Sequence, residues 1–279
     1  MGFILVSAGC AIGIGNVWKF PYMCGEFGGA AFILIYLVFL MIMGIPVMVC
    51  EFAVGRGSLR SVAVSFEKLE PIGSRWHVTK WIGVVGCYLL MMFYTTVGGW
   101  MMYYCFRSVR GEFQGLSSDM VAAGFSDMLG NVPVMASWTI LICIAGFGVC
   151  YFGIQKGIER VSKFMMSALL VIMVVLAVHS VFLEGAGAGI RFYLVPDFAQ
   201  MKEIGIGNVI FGAMSQAFFT LSIGIGAMLI FGSYIGKERS LTGEAVHITA
   251  LDTFVALMAG FIIIPSCFAF GIEPGAGPS

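Results

Sequence analysis

Ile12-Gly13-Ile14-Gly15 and, more than two hundred residues later, Ile223-Gly224-Ile225-Gly226 place the same tetrapeptide inside two long apolar runs. Glycine costs about 0.8–1.0 kcal/mol more than alanine in a helix interior, so a doubled pair in each run predicts an interruption at both. In hydrocarbon the backbone groups freed by a break must be satisfied by protein, trapped water or ligand. Gly9 and Gly13 also form a Gly-xxx-Gly spacing, and small residues alone can serve close helix packing. The polar neighbours separate the two readings. Asn16 follows the first tetrapeptide and Thr220 and Ser222 precede the second, and packing needs none of them.

The surrounding composition is that of an all-α polytopic membrane protein: 279 residues, 59% hydrophobic and 11% charged, with a mean hydropathy of +0.98. Roughly 20 apolar residues cross the hydrocarbon core. That ruler predicts seven spans, Gly2–Cys24, Gly29–Gly55, Trp81–Phe106, Val134–Phe152, Ile158–Phe182, Gly207–Tyr234 and Gly243–Gly271. A formal net charge of zero argues against a nucleic-acid partner. The basic residues are placed unevenly. Arg56, Arg60, Lys68, Arg75 and Lys80 follow span 2, Lys156, Arg160 and Lys163 lie around the start of span 5, and Lys237 and Arg239 follow span 6. The opposite loops carry only Arg107, Arg110, Arg191 and Lys202, with Lys19 near the outer end of span 1, so the positive-inside rule puts the N-terminus in the cytoplasm.

Enzymatic chemistry finds no support. His77, His179 and His247 are far apart and lack metal-ligand spacing, and there is no phosphate-binding loop and no CxxC pair. The eight cysteines sit in or at the ends of the spans and suggest no disulfide framework. The outer connections, with Asp119, Asp127, Asp197 and Glu203, read as solvated links.

A charge inside a span costs about 2.5–3.5 kcal/mol on insertion scales and marks a functional candidate, and three such residues stand out. Asp252 lies in span 7 with no basic residue nearby in its own helix, and reads as a ligand for a hard cation that prefers oxygen donors. Glu51, near the inner end of span 2, reads either as an acceptor for N–H groups freed by the breaks or as an interfacial side chain. Lys19 is one turn beyond Asn16. At the first break, a half-helix starting near Asn16 offers its positive end to an anion, while the half ending near Ala11 offers carbonyls to a cation. A zwitterionic amino acid bound beside sodium suits both, and matched interrupted helices point to a transporter's site.

Gly2 through Tyr22, with Gly9-Cys10-Ala11-Ile12-Gly13-Ile14-Gly15-Asn16-Val17-Trp18-Lys19-Phe20-Pro21, resembles helix 1 of the neurotransmitter:sodium symporter family. The resemblance continues through Gly44-Ile45-Pro46 and Glu51 with Gly55-Arg56, through Phe93-Tyr94 with Trp100, and through Ser215-Gln216-Ala217-Phe218-Phe219-Thr220-Leu221-Ser222. It covers essentially the whole chain and is greatest for the bacterial amino-acid branch.

The resemblance implies two inverted five-helix repeats with helices 1 and 6 discontinuous, alternating between outward-open and inward-open states. Residues 1–183 would form the first repeat, 184–206 an extracellular loop and 207–279 the start of the second. It assigns a first sodium to the Ala11 carbonyl, Asn16, Thr220, Asp252 and the substrate carboxylate. A second sodium falls to the carbonyls of Gly9 and Ile12. The amino acid would lie against Ala11, Gly13, Ile14 and Gly15, its carboxylate reached by Tyr94, with Phe219, Ser222 and Ile225 around its side chain. Lys19 would stand at the outer gate, where many members carry arginine.

Departures from the family pattern refine those expectations. Gly13 stands where monoamine carriers have an aspartate, which favours substrates bringing their own carboxylate. Ile225 replaces a bulky aromatic and leaves room for large hydrophobic or aromatic side chains. Asp252 replaces the asparagine and Ala256 a hydroxyl of the chloride-dependent members, while Tyr36 and Gln216 match the rest of that site, so chloride is not expected to be required and no organic cofactor is implied. Family helices 8 to 10 have no counterpart, and the chain is expected to be a fragment that does not transport alone. The competing functions are an ion channel lined by Asp252 and Thr220, and a non-transporting receptor or defective paralogue.

Overall fold

A computed structural model describes Gly9, residues 11–153 and residues 159–275. The rest of the expected first half of span 1, Lys156 and the first residue of expected span 5 lie outside the described residues. Thirteen α-helices and no strands are present among the described residues: α1 (Phe20–Glu26), α2 (Ala30–Phe39), α3 (Ile45–Ser58), α4 (Val62–Leu69), α5 (Thr79–Val109), α6 (Ser118–Gly130), α7 (Val132–Tyr151), α8 (Glu159–Val181), α9 (Ala186–Leu194), α10 (Phe198–Ile204), α11 (Ile206–Thr220), α12 (Ala227–Gly232) and α13 (Leu241–Ala269).

Five of the seven expected spans are continuous, as Ala30–Ser58, Trp76–Val109, Val132–Tyr151, Arg160–Val181 and Leu241–Ala269. The other two are interrupted where the glycine pairs predict. In the first, Ile12 and Gly13 form a bend, followed by a π-helical turn over Gly15–Lys19 that leads into α1. In the second, α11 stops at Thr220 and α12 restarts only at Ala227.

The half-helix expected to start near Asn16 begins as this wider turn, and a proline explains it. Pro21 has no N–H to return to the preceding turn, and the Phe20 N–H reaches back five residues to the Gly15 carbonyl instead. The same device recurs in span 2, where a π turn over Leu40–Gly44 precedes Pro46 and Ile45 N–H bonds to Leu40 O.

The outer connections, expected as solvated links, contain helices. Ser117 accepts from the Met120 N–H to start α6, and Asp197 accepts from Ala199 and Gln200 at 2.9 and 3.1 Å to start α10. These are ordinary N-caps.

The described residues divide into two compact units, one of residues up to Val84 together with those from Ser162, the other within Val85–Val161. In the first unit α2, α3, α11, α12 and α13 enclose an apolar centre in which Phe20, Phe32, Tyr36, Met48, Phe52, Met228 and Ile248 are fully buried. The Phe20 and Tyr36 rings lie 5.1 Å apart. α9 packs on α13, with Tyr193 donating to Leu257 O at 2.9 Å and meeting Phe261 edge-on at 4.9 Å. In the second unit, Gly99 of α5 lets α7 approach so closely that a methyl group there would lie 2.9 Å from the Thr139 nitrogen.

The tightest helix contact joins α3 to α12. A methyl group on Gly55 would strike the Leu229 carbonyl oxygen, and one on Gly232 would lie 2.6 Å from Phe52 Cα. Both obstacles are backbone and cannot rotate away. Gly55→Ala gains about 0.8–1.0 kcal/mol of helix propensity but loses about 1–3 kcal/mol to overpacking, so a lower melting temperature of the purified protein is expected. Gly57→Ala, whose methyl would meet only Leu69 at 3.6 Å, should leave it unchanged or raised. Equal behaviour of the two variants would contradict this packing.

Candidate functional site

Asp252 is completely buried at the middle of α13, and the polar ends of both broken helices converge on it. Asn16 Nδ2 donates to Asp252 Oδ1 at 2.8 Å and to the Asp252 carbonyl at 3.1 Å. Thr220, the last residue of α11, donates its hydroxyl to Asp252 Oδ2 at 3.1 Å. One carboxylate therefore links two breaks that are far apart in sequence. No basic side chain among the described residues pairs with it, and neutral donors stabilise a buried anion without cancelling its charge.

Asn16 also organises its own break. Its Oδ1 accepts from the Gly13 N–H at 3.1 Å, while the Gly13 carbonyl accepts from Asn16 and Val17 N–H at 3.1 and 3.2 Å. Gln216 adds a second tie, with Nε2 donating to Gly15 O at 2.9 Å. Gly15 is crowded: a methyl group on it would lie 3.0 Å from the Phe219 ring. Ala11 and Ile12 are buried, and Ile12 packs with Met166, Met173, Val255 and Ala259. Gly9 faces Met166, whose Cγ would lie 3.4 Å from an added methyl group.

The second break needs special backbone. Ser222 has φ +52°, an uncommon conformation for a residue with a side chain, and Gly224 and Gly226 follow at +90° and +77°. Glu51 Oε1 accepts from the freed Gly224 N–H at 2.6 Å, placing a carboxylate beside the positive end of α12. Ile225 and Glu51 both line a cavity of about 320 Å³ whose other walls, including Pro46, Val47, Val62 and Phe66, are mostly apolar.

Above the first break, the Lys19 ammonium lies 3.9 Å from the centre of the Phe219 ring, and the same ring rests against Gly15. A cation over an aromatic face is attracted by the ring quadrupole. Among the described residues Tyr36 Oη, Gln216 Oε1 and Thr249 Oγ1 are buried without a hydrogen-bond partner, and the Tyr36 hydroxyl faces Thr220, Thr253 and Asp252. Buried polar atoms of this kind are completed by water, an ion or a ligand. Ala256, one turn past Asp252, is buried and contributes no polar atom.

The first unit thus contains Gly9, Ala11, Ile12, Gly13, Ile14, Gly15, Asn16, Lys19, Tyr36, Glu51, Gln216, Phe219, Thr220, Ser222, Ile225 and Asp252. Tyr94 is on α5 in the second unit, half-buried, edge-on to Phe93 at 5.7 Å. Sequence reasoning overlooked Thr249, whose signal was a hydroxyl one turn before Asp252. It also overlooked Val62, which abuts Gly83 and Gly226 at 2.7 and 2.6 Å from where a Cβ would stand.

The chain matches the family model described as "Sodium:neurotransmitter symporter family" over residues 1–121 and 113–271. It is 38% identical over 280 residues to "Uncharacterized sodium-dependent transporter YhdH" of Bacillus subtilis, an alignment covering 100% of this chain and 61% of that protein. It is 28% identical to the Drosophila melanogaster sodium-dependent serotonin transporter, over 94% of this chain and 46% of that one. Among solved structures, MhsT in complex with L-phenylalanine is similar with a TM-score of 0.91 and 40% identity, covering 99% of this chain and 62% of that one. The chain spans less than two thirds of the length of these relatives.

Asn16→Leu would strip a partner from the Gly13 N–H, from Asp252 Oδ1 and from the Asp252 carbonyl together. Each unmet buried group costs about 1–3 kcal/mol, so a clear fall in melting temperature is expected, larger than for Thr220→Val, which removes one donor. A Thr220→Val effect exceeding that of Asn16→Leu would refute the central place given to Asn16.

Proposed function

The chain belongs to the sodium:neurotransmitter symporter family, and from that premise we propose that it serves sodium-coupled symport of hydrophobic or aromatic amino acids by alternating access. The observation that carries the reading is the fully buried Asp252 carboxylate, held between two helix breaks by Asn16 and Thr220, with no basic partner among the described residues. A buried anion with only neutral donors calls for a cation, and oxygen donors favour a hard one.

In this proposal sodium binds among the Ala11 carbonyl, Asn16, Thr220 and Asp252, and the substrate carboxylate supplies a further ligand. Sharing that ligand makes each species raise the other's affinity, which is the basis of coupling. Gly9 and Ile12 supply carbonyls to a second ion. The amino acid lies along Ala11 to Gly15 beside Phe219 and Ser222, with Ile225 at the side-chain end. Its Lys19–Phe219 stack covers the outer face of the first break. The phenylalanine bound to MhsT, the 40% identical relative, supports a hydrophobic substrate. The distribution of lysine and arginine supports an inner-membrane protein with a cytoplasmic N-terminus.

Chloride is not required in this reading, because the fixed charge of Asp252 stands beside the sodium and Ala256 offers no hydroxyl. Proteoliposomes containing the protein should take up labelled phenylalanine when sodium is supplied outside, and uptake should fall to background when choline replaces sodium. Replacing chloride by gluconate should leave uptake unchanged. Asp252→Asn should raise the sodium concentration needed for half-maximal uptake by about tenfold or more, equivalent to about 1.4 kcal/mol, and introduce a chloride requirement. Uptake by the unaltered protein that collapses in gluconate would overturn the chloride assignment, and a non-saturating sodium current would favour a channel. Competition should rank tryptophan, leucine or tyrosine above glycine and alanine; the reverse order would remove the hydrophobic-substrate assignment.

A further inference from the structure

The connection between the first two continuous spans is held by its own hydrogen bonds and carries exposed apolar side chains. α4 is fastened by buried Ser65, which lies 2.8 Å from the Ser58 hydroxyl, and Lys68 Nζ donates to Ser58 O at 2.7 Å. Beyond it, Glu70 closes a clasp: its carboxylate accepts from the His77 N–H at 3.0 Å, meets His77 Nδ1 at 2.9 Å and takes the Ser74 hydroxyl at 3.3 Å. Within the clasp Pro71-Ile72-Gly73-Ser74 forms a tight turn, with Ser74 N–H bonded to Pro71 O and Gly73 at φ +87°.

This rigid frame displays apolar side chains outward. Ile72 at the turn is entirely exposed, and Leu59, Leu69, Trp76 and Val78 are 63, 44, 62 and 52% exposed. A single exposed apolar residue needs no explanation, but five on one short, well-ordered connection do. Interleaved with them are Arg60 and Arg75, both exposed and without a carboxylate partner among the described residues, whereas Lys80 is paired with Glu67 at 3.3 Å.

Continuity with the membrane identifies the occupant. The connection joins Ala30–Ser58 to Trp76–Val109, so it must lie at a bilayer surface. The second of these spans has 34 residues, about 51 Å of helix against a hydrocarbon thickness of about 30 Å, so helix extends beyond the apolar core. Tryptophan prefers the headgroup level, and unpaired arginines there are attracted to anionic lipid.

We infer that Leu59–Lys80 is an interfacial anchor that inserts Ile72 and Trp76 at the headgroup boundary and holds anionic phospholipid with Arg60 and Arg75. The anchor is packed on the second break, since Val62 at the start of α4 is wedged against Gly226. It does not depend on what is transported.

The test uses the protein reconstituted in vesicles of phosphatidylcholine carrying brominated phosphatidylglycerol or, in parallel, brominated phosphatidylcholine. The Trp76 contribution is the difference between unaltered protein and Trp76→Phe. It should be quenched about threefold or more strongly by the brominated anionic lipid, and the preference should disappear in Arg60→Gln/Arg75→Gln and weaken in high salt. Ile72→Trp, which adds a fluorophore at the exposed turn and removes no packed side chain, should show the same preference. Equal quenching by both lipids would overturn the anionic assignment. No quenching of either reporter by either lipid would show that protein covers this face and would overturn the anchor itself.

Discussion

The structure depends on one carboxylate buried where no cationic side chain among the described residues meets it. Asp252 contacts the side chains of Asn16 and Thr220, so the two interrupted helices are joined through a residue belonging to neither. Hydrogen bonds from neutral groups lower the cost of burying an anion, but the charge remains, and in a medium of low polarity its field is poorly screened. In the proposed reading this polar centre is completed by a bound cation. The uncapped Tyr36 and Thr249 hydroxyls and the free oxygen of Gln216 are further unfilled polar capacity in the same unit.

What surrounds this centre is built for close approach rather than bulk. Gly55 and Gly232 bring α3 and α12 into backbone contact, and Glu51 on α3 takes the first free N–H of the second break. The restarted half of the broken helix is thus fastened to α3 by packing and by charge together. On the other side Gly44 of the same span lets Leu221 approach, with its Cδ1 2.7 Å from where a methyl group would stand. Span 2 consequently grips both ends of the second break, and the chain reversal between them is left to Ser222, Gly224 and Gly226, whose positive φ values make it.

Much of this was legible in the amino-acid order because it rests on local costs. Glycine pairs in apolar runs declare breaks, and a run of about 20 apolar residues declares a span. The helices α6 and α10 escaped notice because a capping Ser117 or Asp197 looks, without its partners, like any loop residue. The widened turns before Pro21 and Pro46 were signalled by proline and could have been read. By contrast, the bond from Asn16 to Asp252 joins residues 236 positions apart. No periodicity reports such a contact; only family resemblance nominated both residues for one place. Lys19 shows the limit of position without surroundings, since its neighbour across the break is an aromatic ring and not an acid.

The two glycines of the first tetrapeptide do different things, and the difference bears on substrate choice. Gly15 is crowded, since a methyl group there would lie 3.0 Å from the Phe219 ring, which would have to give way. Gly13 is not: a methyl group there meets nothing within 4 Å among the described residues. Its φ is not in the left-handed region either, so neither space nor backbone conformation explains it. Room left open beside a helix break, bordered by freed backbone donors and carbonyls, is room for a guest. A side-chain carboxylate at Gly13 would fill that space and supply an acid from the protein. In the proposed reading, with glycine in its place, an acid that completes the cation's shell would arrive with the guest. That would be the physical reason for a molecule bearing both an amine and a carboxylate to suit this centre better than a simple amine.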